Sequence, residues 1–524
     1  MNVVRLFQAQ AEARPAAAAL VEGRRTRRRV TTFADLEAAS AAGAARLLAT
    51  GLRPGDAVLT LVPLSADLYR VLASVFRAGL TAIVLDPGAG RGHVARCCRM
   101  RPPDAFVGSP RAHLLRALVP AVRRIPRPLV VGGWAPFAQR FDGAAAAAPV
   151  HDVAPDAPAL LTFTSGTTGP PKAAIRTHGL LAAQHAALSD ALGLAPGQVD
   201  LATLPVVVLA SLASGVTTVL PDVDLRRPGA YDPAPVLEQI RAERPTRTAA
   251  SPAFVERLLD AAAAEGTDLA SFERIDLGGA PVFPHLLDRV RAAGARAVAV
   301  YGSTEAEPIA DLADLSEADR ARVRAGEGLP AGRPVPHVTV RVVPDRTGEP
   351  LGPFRQPDWD ALALGPGEAG EVVVAGDHVV PGYLGGVGDR ETKVEVEGRR
   401  WHRTGDAGRL DADGRLWLLG RCASASRRGT GVVYPLQVEA ALAGLVEGRA
   451  AFVELDGRRL VAVERPAGPP SDPAMRCELT AVRRAVAWAD LDAVVPVAAI
   501  PRDRRHNAKV DAPALRALLR RSGV

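Results

Sequence analysis

Short apolar runs alternate with amphipathic stretches through the first half of the chain, and that alternation leaves few folds open. Asp56-Ala57-Val58-Leu59-Thr60-Leu61-Val62 reads as a strand, residues 64–77 as a helix, and Ala82-Ile83-Val84-Leu85-Asp86 as the next strand. Further strands are expected at 128–131, 159–163, 274–277 and 297–300. Strands separated by helices bury both faces of a sheet, so the fold class is α/β with layered, largely parallel sheets. After about residue 330 the texture changes. Residues 338–343, 370–375 and 415–419 are short strands between Gly/Pro turns, which predicts a β-rich subdomain. The last hundred or so residues predict a small α/β unit with helices at 436–445 and 513–519. At 524 residues the chain exceeds one ordinary core, and the Gly/Ser/Arg-rich stretch 420–431 is the expected boundary. The division is therefore 1–421 and 422–524. Residues 144–148 read as a surface linker, and no internal repeat is present.

Residues 201–221 carry no charge over the length of a membrane span. Pro205, Gly215 and the hydroxyls of Thr203, Ser211, Ser214, Thr217 and Thr218 favour buried core or an apolar pocket wall over a transmembrane helix. The rival reading, a membrane-inserted protein, rests on this stretch alone. The net charge of +7 comes from arginines interspersed with 57 acidic residues, which describes a solvated exterior rather than a nucleic-acid surface. Cys97, Cys98, Cys422 and Cys477 lack metal-ligand spacing and are expected as reduced thiols of a cytoplasmic protein. The N-terminal segment has no signal-peptide pattern.

Only three of the 64 basic residues are lysines: Lys172, Lys393 and Lys509. A chain that uses arginine almost everywhere keeps lysine where a planar fork cannot replace a compact ammonium. Lys393 is read as compositional drift. Lys172 ends Thr164-Ser165-Gly166-Thr167-Thr168-Gly169-Pro170-Pro171-Lys172, between a strand and a helical pattern that begins near Gly179. Glycines, four hydroxyls and an ammonium in a strand–loop–helix unit suit phosphate binding. The loop is not a Walker motif, because two prolines separate Gly169 from Lys172. Gly278-Gly279-Ala280-Pro281 and Tyr301-Gly302-Ser303-Thr304-Glu305 each follow an apolar strand, at the edge where open α/β sheets bind ligands. Trp401-His402-Arg403-Thr404-Gly405-Asp406 adds a carboxylate, and Gly420-Arg421 a guanidinium.

Together and in this order these motifs resemble the adenylate-forming superfamily of acyl-CoA synthetases, peptide-synthetase adenylation domains and luciferases. The resemblance covers nearly the whole chain. It implies a large N-terminal region, a small mobile C-terminal lid, and activation of a carboxylic acid by ATP and Mg²⁺. By motif match, Thr164, Ser165, Gly166, Thr167, Thr168, Gly169 and Lys172 would contact the ATP phosphates. Gly279, Ala280 and Tyr301 would frame the adenine, with Gly302 also among the ATP-binding residues. Thr304 would touch the α-phosphate and Glu305 would hold Mg²⁺. Asp406, with Arg421 beside it, would bind the ribose, and the lid residue Lys509 would bridge substrate carboxylate and α-phosphate.

Phe76-Arg77-Ala78-Gly79, Leu85-Asp86-Pro87-Gly88, Trp401–Asp406 and His506-Asn507-Ala508-Lys509 look like the β-lactone synthetases of bacterial olefin biosynthesis. That resemblance implies a lipophilic 3-hydroxy acid whose own hydroxyl closes on the acyl carbon and expels AMP. Two departures from the CoA-ligase pattern agree with it. Pro205 leads into Val206-Val207-Val208 with no histidine, and the segment after Arg421 reads Cys422-Ala423-Ser424-Ala425. Both argue against CoA as acceptor. A fatty-acid-CoA ligase is the alternative, and a catalytically silent scaffold relative, with partners in a biosynthetic pathway, is the reading from a different class.

Overall fold

The computed structural model describes all residues except 87, 89, 144–145, 165–170, 227, 430, 447, 466–472, 503–508 and 523–524. The expected α/β layering is present. Among the described residues, one sheet has seven strands in the order Gln139–Arg140, Pro128–Val130, Ala105–Gly108, Ala57–Leu61, Thr81–Val84, Pro158–Thr164 and Lys172–Thr177. All neighbours in it are parallel except the last pair, which is antiparallel. Ala57–Leu61 is buried along its whole length, as a strand covered on both faces must be. Helix Ala66–Arg77 follows it, with the Ser65 hydroxyl accepting from the Leu68 amide at the N-cap.

A second, larger sheet begins with Arg29–Thr32 and a parallel run: Ala18–Glu22, Thr217–Val219, Val199–Leu201, Arg247–Ala250, Arg274–Leu277 and Arg296–Ser303. It turns antiparallel at Ala306–Leu312 and continues through Leu329–Pro334, Leu416–Arg421, Arg399–Leu410, Gly370–Ala375 and Thr339–Val343. This antiparallel half is the β-rich region expected after residue 330. The C-terminal unit packs helices Pro435–Leu442, Pro473–Ala485 and Ala512–Arg521 around a sheet of Ala450–Leu455, Arg458–Glu464 and Ala493–Val497. It touches the body where Gln437 donates to the Gly326 carbonyl at 2.8 Å and Arg449 meets Glu256 at 3.4 Å.

Three local expectations need correction. The Lys172 loop does not lead from a strand into a helix. Thr164 pairs with Lys172 in an antiparallel hairpin, and the helix, His178–Leu192, starts only after a second strand. Lys172–Thr177 pairs with Pro158–Thr164 with Ala173, Ala174 and Arg176 buried, and the Thr177 hydroxyl then accepts from the Leu180 amide to start the helix. The segment read as a linker is not all surface: Ala148 is buried, its amide bonded to the Ala41 carbonyl and its own carbonyl accepting from Arg77 Nε. The strand expected at 297–300 runs on to Ser303, because Tyr301 and Ser303 find partners in Ala306–Leu312. The uncharged stretch 201–221 forms buried helix Pro205–Ala213 and strand Thr217–Val219. Among the described residues no helix is long and apolar enough to cross a membrane.

Beneath the strands that carry the glycine and tyrosine motifs lies a buried ion pair. Arg247 and Asp276 meet at 2.8 Å with both side chains 2% exposed, and Arg274 Nε reaches the other carboxylate oxygen at 2.9 Å. Burial pushes the Asp276 carboxyl upward while the two guanidinium groups oppose it. Arg247 and Arg274 also donate to the Leu192 and Ala191 carbonyls, closing the end of helix His178–Leu192. Asp276→Ala strands buried Arg247 and half-buried Arg274 and is expected to cost about 3–5 kcal/mol; the urea midpoint of the variant against wild type measures it.

Candidate active site

The site lies where the two large sheets meet, and Tyr383 is its hub. Its backbone bridges Ala174 of strand Lys172–Thr177. Its hydroxyl donates to Glu305 Oε1 at 2.8 Å. Its ring carries Lys172 Nζ at 5.4 Å and Lys393 Nζ at 5.3 Å from the centroid, cation–π distances for two ammonium groups on one ring. Glu305 sits in the turn between Arg296–Ser303 and Ala306–Leu312, and its carbonyl accepts from the Val380 amide at 2.7 Å. Burial alone would raise the Glu305 carboxyl, but neighbouring His402, then the Tyr383 hydroxyl and the Lys393 charge, outweigh it and hold it below its ordinary value. Thr304 is anchored through its carbonyl, which accepts from Arg176 Nη2 at 2.6 Å.

Lys393, read from sequence as drift, is buried in this cluster. Its ammonium donates to the Val380 carbonyl and lies 3.2 Å from His402 Nδ1. Burial lowers its pKa to about 8, against the pull of Glu305 and Asp389. Arginine's fork would not fit between a carbonyl and an imidazole at that depth, so the rarity that singled out Lys172 and Lys509 applied to Lys393 as well. Tyr383, His402 and Arg176 were also missed. The signal for His402 was present, because successive side chains of a strand point to opposite faces. On Arg399–Leu410, His402 and Asp406 serve the site, while Trp401 packs on Trp359 and Arg403 pairs with buried Glu371.

A few residues along that strand is the second group. Asp406 Oδ2 accepts from the Tyr301 hydroxyl at 2.8 Å, and Oδ1 accepts from Arg421 Nη1 at 2.8 Å. Asp406 and Arg421 are register partners on adjacent antiparallel strands. The Asp406 amide donates to Thr404 Oγ1, whose hydroxyl is fixed on the Val372 carbonyl. Burial, then the Asp406 charge, pushes the Tyr301 phenol up, so it stays a donor. The charge of Asp406 pushes the Arg421 guanidinium up. Gly279 lies just past Arg274–Leu277, the parallel neighbour of Arg296–Ser303. Its φ is +81° and the space where a Cβ would stand is open.

The structure thus brings Lys172, Tyr301, Gly302, Thr304, Glu305, Asp406 and Arg421 to one sheet junction, with Gly279 and Ala280 at the end of the adjoining strand. Thr164 closes the hairpin opposite Lys172, and Ser165, Gly166, Thr167, Thr168 and Gly169 lie outside the described residues. Lys509 is exposed, beside the Arg502–Val510 bridge that precedes helix Ala512–Arg521. Among the described residues no three His, Cys, Asp or Glu side chains cluster as a metal cage.

The family model described as AMP-binding enzyme matches residues 7–384. The chain belongs to the AMP-binding enzyme family. It is similar to an olefin beta-lactone synthetase of Stenotrophomonas maltophilia, 32% identical over 91% of this chain and 89% of that protein. Its fold matches the amide bond synthetase McbA of Marinactinospora thermotolerans with a TM-score of 0.80, 24% identity and 99% of both chains covered. It also matches the O-succinylbenzoate coenzyme A synthetase MenE of Bacillus subtilis in complex with ATP and magnesium ion, with a TM-score of 0.73, 22% identity and coverage of 98% and 99%. As a family member the chain is an adenylate-forming enzyme, and the Tyr383 and Asp406 groups lie where its motifs converge.

The buried cluster sets a pH dependence whose sign follows from His402. Burial, reinforced by Lys393, lowers this imidazole from 6.5 to about 3. The unfolded chain takes up the proton first, so stability is lost as pH falls from about 6.5 toward 3, by about 1.4 kcal/mol per pH unit from this residue. Lys393 acts with the same sign between about 8 and 10.5, where only the unfolded chain stays protonated. His402→Gln is expected to flatten the acid limb of stability against pH, measured by urea unfolding at pH 7, 6 and 5.

Proposed function

We propose that the protein activates a 3-hydroxy fatty acid with ATP, forming an acyl-adenylate and releasing pyrophosphate, and that the substrate's own hydroxyl then displaces AMP to give a β-lactone. The observation that carries the first half is the Asp406 carboxylate, held between Tyr301 and Arg421, with Gly279 and its open space at the end of the strand next to that of Tyr301. Its remaining lone pairs suit two ribose hydroxyls, and Gly279, Ala280, Tyr301 and Gly302 form the surround for adenine. Lys172, at the end of the 164–172 segment, supplies charge for the phosphates. Thr304, fixed by Arg176, faces the α-phosphate.

Glu305 fits a magnesium ion: it is a hard oxygen donor held ionised, and such ions take one or two carboxylates plus substrate phosphates rather than a protein cage. Bound there, the ion would neutralise phosphate charge. Within the protein, Tyr383 and Lys393 hold the Glu305 carboxylate oriented and deprotonated. A carboxylate approaching an α-phosphate is an encounter of two anions, so positioning and cationic compensation dominate the chemistry. Lys509, on the C-terminal unit 422–524, is assigned that compensation. It would act as a lid residue, supplying charge once the site is closed to water.

The second half rests on helix Pro205–Ala213. Val207 and Val208 are buried, and Val206 lines an apolar cavity with Phe7, Phe76, Leu181, Leu209 and His185. The helix itself therefore carries no imidazole for a thiol acceptor, and the His185 ring facing it from helix His178–Leu192 is engaged with the Ser214 hydroxyl at 3.1 Å. The cavity measures about 30 Å³, room for a water or two. An alkyl chain entering here would have to widen it, and each methylene buried would contribute about 0.8 kcal/mol. A tethered hydroxyl needs no acceptor channel, because effective concentration drives the closure.

Two measurements check this. Asp406→Ala is expected to raise KM for ATP while changing kcat less, because ribose contacts persist from ground to transition state. A dominant fall in kcat at unchanged KM removes Asp406 from that role. A long-chain 3-hydroxy acid with ATP and Mg²⁺ should release AMP and a β-lactone without CoA, followed by mass spectrometry. AMP release that requires CoA and ends in an acyl-CoA replaces the lactone reading with the ligase one.

A further inference from the structure

The seven-stranded sheet ends, on the side away from Lys172, in the short strands Pro128–Val130 and Gln139–Arg140. Around this edge four large apolar side chains stand in solvent: Leu114 is 66% exposed, Leu118 51%, Trp134 72% and Phe137 94%. Leu114 and Leu118 are one turn apart on helix Pro110–Leu118 and so share a face. The loop carrying Trp134 and Phe137 lies against the first turn of that helix, since a Cβ on Gly133 would come within 2.8 Å of Pro110 Cγ. Phe137 adopts φ +57°, a left-handed conformation that a bulky residue rarely takes. Its ring is almost wholly exposed.

Charge gives an independent observation. Between Asp104 and Asp142 the sequence has no acidic residue but holds Arg111, Arg116, Arg123, Arg124, Arg127 and Arg140. Arg111, Arg123, Arg124 and Arg140 are exposed, and among the described residues none of these four guanidinium groups makes an ion pair. The two carboxylates that approach the loop at Gly132, Asp67 and Asp142, are both held by Arg70. The edge therefore combines aromatic and aliphatic side chains with charge of a single sign.

We propose that this edge is an interfacial docking surface for an anionic lipid bilayer. Trp134, Phe137, Leu114 and Leu118 enter the headgroup boundary, and Arg111, Arg123, Arg124 and Arg140 meet lipid phosphates. Tryptophan and phenylalanine favour that boundary, and clustered arginines are drawn to the negative surface potential. Aromatic residues and arginine also anchor protein interfaces, but charge of one sign across the whole of residues 105–141 suits a continuous field of lipid phosphates better than a single complementary partner. The attachment is peripheral and reversible, and independent of the reaction assigned to the site.

Flotation of the full-length protein with vesicles tests the surface. Binding to phosphatidylglycerol-containing vesicles is expected at low salt, with loss at high salt and on pure phosphatidylcholine. Trp134→Ser with Phe137→Ser, and separately Arg123→Glu with Arg124→Glu, should each weaken partitioning about tenfold or more, with far-UV circular dichroism and ATP–pyrophosphate exchange in solution unchanged. Wild-type protein that ignores anionic vesicles at low salt overturns the proposal, as does binding that survives both double variants. A concentration-dependent dimer dissolved by the same substitutions assigns the edge to a second copy of the chain and overturns it equally.

Discussion

One phenol organises the site. Tyr383 takes a backbone bridge from the seven-stranded sheet, a carboxylate from the turn where the larger sheet becomes antiparallel and two lysine ammoniums on its ring. Each is a group whose isolated burial is costly: a carboxylate without a donor, or an ammonium without an acceptor or a ring face. Gathered on one side chain they satisfy one another, and the sheet junction becomes a place where charge can be kept dry. The Asp406 group repeats the arrangement with Tyr301 as donor and Arg421 as cation. In both, a tyrosine hydroxyl donates to a carboxylate, with a cation close to the pair.

Much of this was legible in the sequence. The strand at Arg274–Leu277 and that at Gly370–Ala375 end where their apolar runs end, because Gly278 closes the first and Gly376 the second. The order of the phosphate-type loop, the Gly-Gly-Ala turn, the Tyr–Glu turn and the Trp–Asp strand named the family before any geometry. What local pattern could not reveal was pairing. The strand Lys172–Thr177 was given no element of its own between the loop and the helix expected near Gly179, because so short a segment shows no clear period, and only the partner Pro158–Thr164 decides. Tyr383 was missed for the same reason: its role comes from three segments far apart in sequence. Lys393 is the instructive error, since rarity of lysine was the argument used for its two counterparts and it was set aside at the one position where burial makes the choice of cation most stringent.

The arginine bias divides labour between the two kinds of cation. Arg247, Arg274 and Arg403 use several donors at once, to carboxylates and to carbonyls of helix ends or loops, and so act as structural clamps. A compact ammonium is used over a ring or against a single carbonyl. Clamps and charge carriers are thus separated by chemistry, although both bear the same formal charge.

The three lysines occupy three grades of accessibility: Lys509 is exposed, Lys172 half-buried and Lys393 buried. With so few primary amines, an amine-directed reagent becomes a depth gauge for the whole molecule. Labelling proceeds from the C-terminal unit inward, and modification at Lys393 reports that the junction of the two sheets has come apart.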